Sequence, residues 1–231
     1  LLLGWYNVER DKMDDAEKWF RRAREVEDSA SASEGLALAL VARGEPREAE
    51  DIMFKWRGSS DGARATYLAA AANLLALDPP VVLDPDVLQR VAAETVAQKD
   101  AATAQEFGWY SRAFQQPQMA QQWFSTALQW KPDDEPSAYG LALTYQELNN
   151  PAEVRRLQSQ WGSTSQRIME IGRPTARSGA VASAPAVTTP AVVEPQSQAM
   201  ATTPRMVSPQ ATAVAYDPLR ARQTRAARGA R

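Results

Sequence analysis

Residues 108–127 read GWYSRAFQQPQMAQQWFSTA, and residues 4–23 read GWYNVERDKMDDAEKWFRRA. The two stretches stand 104 positions apart and share Gly-Trp-Tyr, a small residue at Ala16 and Ala120, the pairs Trp19-Phe20 and Trp123-Phe124, and Ala23 and Ala127. One inserted residue later the match resumes: Gly35-Leu36-Ala37-Leu38 answers Gly140-Leu141-Ala142-Leu143, and Pro46, Glu48 and Trp56 answer Pro151, Glu153 and Trp161. So many coincidences in order, three of them Trp, mark an internal duplication, and a duplication decides the fold before any local reading does.

Inside each copy the unit is shorter. Gly4, Ala16, Phe20 and Ala23 are spaced by 12, 4 and 3, and Gly108, Ala120, Phe124 and Ala127 repeat those spacings before Pro132. Steps of 4 and 3 keep Ala16, Phe20 and Ala23 on one helical face, where small residues admit a neighbouring helix closely. This pattern resembles the tetratricopeptide signature, whose unit is about 34 residues, so that the offset of 104 is close to three units. The resemblance covers residues 1–171. It is plainest in the units that begin before Leu1 and near Thr103; residues 31–57 and 136–161 keep the helix pattern without the consensus aromatics, and 61–98 depart most.

The expectation is an all-α chain: a right-handed superhelical stack of antiparallel helix pairs, about five such units plus a terminal helix. The periodicity predicts helices at 1–10, 13–27, 31–43, 46–57, 61–77, 86–98, 100–114, 117–130, 136–148, 151–161 and 164–171. Gly44-Glu45-Pro46 and Asn149-Asn150-Pro151 each place Pro at a first helical position. The last helix would cover the apolar edge that an open stack leaves. Because the sequence opens Leu1-Leu2-Leu3 already inside a repeat, it reads as the C-terminal part of a longer array.

From Gly172 the periodicity ends. Seven of the fifteen prolines lie beyond it among Ala, Thr, Ser, Val and Gln, and Tyr216 is the sole aromatic. Such a segment buries too little apolar surface to offset its ordering entropy, so 172–231 is expected to be a disordered tail. It carries eight Arg against Glu194 and Asp217, about +6, which leaves about −8 on the body. Arg220, Arg222, Arg225, Arg228 and Arg231 recur every two to three residues and offer bidentate donors to a nucleic acid or another anionic surface.

Several chemistries are excluded. Without Cys there is no disulfide or thiolate, and without His the commonest general base and metal ligand are both missing. Gly58-Ser59-Ser60-Asp61-Gly62 matches the serine-hydrolase elbow, but that motif needs a strand before it and a histidine partner; it reads as a turn between helices. Asp14, Asp15, Glu17, Glu25, Glu27 and Asp28 alternate with Arg21, Arg22 and Arg24, which is the pattern of a solvated, ion-paired helix face. No Gly-rich phosphate loop is present. No cofactor, metal, small-molecule substrate or catalytic residue is expected.

In tetratricopeptide arrays the first helix of each pair lines a concave groove, and this resemblance nominates the candidate site. Counted from Gly4 and Gly108, the groove positions hold Trp5, Glu9, Glu34, Gln105, Trp109, Arg112, Tyr139 and Glu147. Trp5 and Trp109 would be its aromatic anchors, more exposed than Trp19 and Trp123 and than Phe20 and Phe124. The Lys and Asn clamp with which some family members hold a C-terminal carboxylate is missing: those places hold Leu1, Trp5, Glu34 and Leu38, then Gln105, Trp109, Tyr139 and Leu143.

The reading is a non-enzymatic scaffold that binds a peptide or helix of a protein partner in the groove. The alternative is a periplasmic component of a bacterial exopolysaccharide export system of the cellulose type. Its Trp-Phe pairs, Gly-Leu-Ala helices and Ala/Pro/Thr linker resemble this chain, and there the groove Trp rings would stack on sugars.

Overall fold

The computed structural model describes residues 1–173. Among them are eleven helices and no strand: α1 (Leu2–Val8), α2 (Met13–Val26), α3 (Ala30–Ala42), α4 (Pro46–Phe54), α5 (Asp61–Leu75), α6 (Pro85–Gln98), α7 (Ala101–Ala113), α8 (Pro117–Trp130), α9 (Glu135–Glu147), α10 (Pro151–Trp161) and α11 (Gln166–Glu170). The chain is all-α, and each expected helix is found within a few residues of its expected ends. All lie in the unit that spans Leu1–Ile171. Residues 174–231 lie outside the described residues, and with them the expected disorder of the tail and its Arg row.

Two devices recur at the helix starts, side-chain caps and prolines, and α9 and α10 carry both. α3, α5, α7, α9 and α11 begin at Ser29, Ser60, Asp100, Asp134 and Ser165, whose side chains accept a backbone N–H of the first turn. α4, α6, α8 and α10 begin with Pro46, Pro85, Pro117 and Pro151, where the missing N–H costs nothing. Ser60 is therefore a helix cap, taking the N–H of Ala63 at 2.9 Å, and the hydrolase-like Gly-x-Ser-x-Gly is the turn into α5.

The turns within pairs are made alike. Asp11, Gly44, Gln115 and Asn149 are left-handed, and the N–H that follows each returns to the carbonyl of Asn7, Leu40, Ser111 or Tyr145. The pair α5–α6 departs from this: residues 76–84 connect it, held by Leu83, whose N–H donates to the Tyr110 hydroxyl at 3.0 Å. The single inserted residue of the second copy falls in the turn between α8 and α9, four residues long against three between α2 and α3.

Two wedges lock the duplicated part. The Phe20 ring fills the space against Gly4 of α1 and Gly35 of α3, where an added Cβ would come within 2.6 and 2.2 Å of it. Phe124 does the same against Gly108 of α7 and Gly140 of α9, at 2.5 and 2.4 Å. Both rings are fully buried. Only glycine leaves room for that approach, so Gly and Phe are two halves of one packing element.

Consecutive helices pack on one another, and each odd-numbered helix also packs on the next odd-numbered one, from α1 on α3 to α9 on α11. Consecutive even-numbered helices do not approach to a comparable degree. A stack tighter on one side bends towards that side, which places the odd-numbered helices on the inner face. Small residues permit the tightness: Ala32, Ala39, Ala63, Ala70, Ala104 and Ala138 are all buried there. Long side chains span the wider outer layer instead, with Arg21 of α2 to Glu48 of α4 and Arg90 of α6 to Glu50 of α4. The last pair is closed by α11, which packs on α9 and α10 and buries Ile168 and Ile171.

One expectation is corrected. Trp19 is 44% exposed, more than the half-buried Trp5 and Trp109, although Phe20 and Phe124 are core as expected. One step along a helix turns a side chain by about 100°, so the position next to the wedging Phe faces sideways, towards a neighbouring pair. Trp123 stacks at 4.5 Å on Phe107 of its own pair, a ring that is itself buried, whereas the matching Leu3 beside Trp19 is 50% exposed.

Candidate interaction surface

The wedges also position the surface side chains. Gly108 accepts the Phe124 ring, so Trp109, the next residue of α7, stands at the edge of that ring, 5.1 Å away and inclined by 76°. Trp5 repeats this on Phe20, at 5.1 Å and 75°. The duplication thus fixes two indoles in the same orientation, each half-buried against its own wedge.

Around Trp109 the inner face carries a row of side chains from three odd-numbered helices. Tyr139 of α9 lies 6.3 Å from Trp109, ring to ring. The Arg112 guanidinium lies over Trp109 at 5.3 Å, and that of Arg167, from α11, over Tyr139 at 4.3 Å. Each cation is held by a carboxylate of α9: Arg112 by Glu147 and Arg167 by Glu135, which also accepts from the Ser165 hydroxyl. The guanidinium beside it holds the Glu135 carboxyl below the usual carboxylate range. The row is therefore two aromatic rings between two neutralised cations, a surface with apolar faces and orientable hydrogen-bonding edges.

Of the eight residues nominated from sequence, the structure brings Trp109, Arg112, Tyr139 and Glu147 together. Gln105, one turn before Trp109, donates to Glu106 at 3.2 Å. In the first copy, Glu34 occupies the place of Tyr139 and takes the Ser60 hydroxyl at 3.4 Å, while Glu9 is exposed just past the end of α1. Arg167 and Glu135 escaped sequence reasoning. α11 reads as a cap alone, and nothing in its five residues announces that Arg167 reaches back to α9.

The surface around Trp109 presents paired charges and ring faces. Its carboxylates are tied to guanidinium groups, and among the described residues no group of Asp and Glu is arranged to hold a metal ion. Glu106, whose carboxyl burial pushes up to about 7, lies beneath the surface at 9% exposure rather than on it. No helix among the described residues is long and apolar enough to cross a membrane. No protein-family model and no curated protein matches this chain.

Proposed function

We propose that this chain is a non-enzymatic interaction scaffold of the tetratricopeptide kind, which docks a segment of a protein partner on the inner face of its odd-numbered helices. The observation that carries the reading is the row Arg112, Trp109, Tyr139 and Arg167, contributed by three successive inner helices and rigidly underpinned by the Phe124 wedge. An extended or helical segment lying across α7, α9 and α11 would meet both rings and the outer edges of both ion pairs. Preorganised aromatic anchors of this kind carry most of the energy in peptide recognition. The polysaccharide reading would use the same rings as stacking platforms. The guanidinium groups over them favour the peptide, because they occupy ring area that a sugar would need.

The test is affinity capture with the full chain and with two variants. Trp109→Ala should cost about 2 kcal/mol of partner affinity, as central anchors do, measured at a temperature where circular dichroism shows the variant folded, since truncating a half-buried ring also lowers the melting temperature. Arg22→Ala, on the outer surface of α2, should retain every partner. Partners kept by Trp109→Ala but lost from Arg22→Ala would place binding on the outer layer and end the proposal. Retention on a cello-oligosaccharide column that depends on Trp109 would favour the polysaccharide reading instead.

A further inference from the structure

The duplication supplies its own control for a surface away from the inner face. On the side of α7–α8 that meets α5–α6, Phe107 is 4% exposed and shares a core with Leu68, Leu75, Leu83 and Val91, against which Tyr110 and Trp123 also pack. The Thr103 hydroxyl donates to the Leu68 carbonyl at 3.4 Å, and the Tyr110 hydroxyl receives the Leu83 N–H. A displacement of 104 positions carries Phe107, Tyr110 and Trp123 onto Leu3, Tyr6 and Trp19. These residues form the corresponding side of α1–α2 and are 50%, 49% and 44% exposed, with Leu2 at 85% beside them. The wedge beneath them is the same; α1 is shorter than α7, Arg10 lies over the Tyr6 ring where Phe114 meets Tyr110, and the cover differs.

We propose that the face of Leu2, Leu3, Tyr6 and Trp19 is a seat for a further helix pair of the α5–α6 kind, stacked on α1–α2 as α5–α6 is stacked on α7–α8. The internal copy defines what fits. The occupant offers aliphatic side chains from two antiparallel helices and, from the loop between them, a backbone N–H for the Tyr6 hydroxyl. A second copy of this chain does not meet that description. The seat is aromatic and takes an aliphatic side, while the far end of this stack, where such a side would stand, is closed by α11 through Ile168 and Ile171.

The duplication also fixes the register of the test. Residues 61–104, placed directly ahead of Leu1 in the full chain, join it as Ala104 joins Gln105 and rebuild α5, α6 and the first turn of α7 on the bare face. The chain has no cysteine, so Leu2→Cys provides a single reporter thiol, and Gln160→Cys on exposed α10 a control. In the extended chain the Leu2→Cys thiol should be alkylated more slowly by about tenfold or more, since reaction then requires local opening. The Gln160→Cys rate should stay the same, and the melting temperature should rise. An extension whose Leu68 and Val91 counterparts are Asp should give neither effect. Unchanged alkylation overturns the proposal, as does an extension that adds no helix. Concentration-dependent protection of Leu2→Cys in the unextended chain would show a second copy on the face and overturn it equally.

Discussion

α2 and α8 occupy the same place in the two copies and hold the same wedge, yet their surfaces share almost nothing. α2 carries eight charged residues among its fourteen, and α8 carries none, with Gln121, Gln122, Ser125 and Thr126 standing where α2 has Glu17, Lys18, Arg21 and Arg22. On α2 the charges pair along the helix, Lys18 with Asp15, Arg22 with Glu25 and Arg24 with Asp28. They also pair outward: Arg21 with Glu48, and Arg43 with Glu17. α8 attains the same packing without any of them. Beside the pairs Trp19 and Trp123 and Ala23 and Ala127, the positions that coincide are Ala16 and Ala120, Phe20 and Phe124, and the glycines that receive them, and these last are all buried. The fold is therefore set by volume and shape at the interhelical contact, whereas surface charge adds little, as expected where water screens each pair.

This comparison can be broken most forcefully at the wedges. Phe20→Ala and Phe124→Ala should each destabilise by roughly 3–5 kcal/mol in chemical denaturation, through the cavity left between three helices. The two losses should agree, because the surroundings do. A large cost in one copy and a small one in the other would show that the duplication is of sequence and not of packing.

Next comes a difference between the copies. Glu106 stands where the first copy has Leu2, and its carboxyl is raised from 4.5 to about 7 by burial, with Gln105 opposing and Asp134 adding to the shift. The folded state thus tolerates the protonated form and resists the ionised one. The contribution of Glu106 to stability should be full below about pH 4.5, fall as the pH rises towards 7, and level off above. Glu106→Gln should flatten that fall and gain about 3 kcal/mol at pH 8, from a shift of this size at about 1.4 kcal/mol per unit. Denaturation midpoints of both proteins between pH 5 and pH 8 decide it.

The two tryptophans beside the wedges sharpen the comparison further. Trp123→Ala should cost about 2–3 kcal/mol, since the ring is half-buried against Phe107 and the core. Trp19→Ala should cost less than about 1 kcal/mol, because an exposed ring loses little on truncation. Equal costs would mean that the face of α1–α2 is already covered in solution. Smallest of all should be the loss from Arg21→Ala, within about 1 kcal/mol and shrinking further in high salt, since Glu48 stays hydrated and Glu17 keeps Arg43 as a second partner.

The sequence alone determined the helices, their number and order, and the burial of Phe20 and Phe124, because these are written in spacings of 12, 4 and 3 and in a repeat that survives along the chain. Periodicity reports which side of a helix is apolar, and caps and prolines report where it starts; both act within a turn or two of the chain. The four residues that meet around Trp109 were nominated the same way, by counting from a glycine. What the sequence could not decide is which apolar face has a neighbour. Trp19 and Trp123 sit in matching sequence contexts, yet Trp123 is covered by Phe107 and the core that α5–α6 build around that ring, while Leu3 at the matching place is itself exposed. Arg167 reaches Tyr139 and Glu135 for the same kind of reason. Such contacts depend on the stacking distance between separate helices, a property of the assembled pairs and not of any one segment, and so only the tertiary structure settled them.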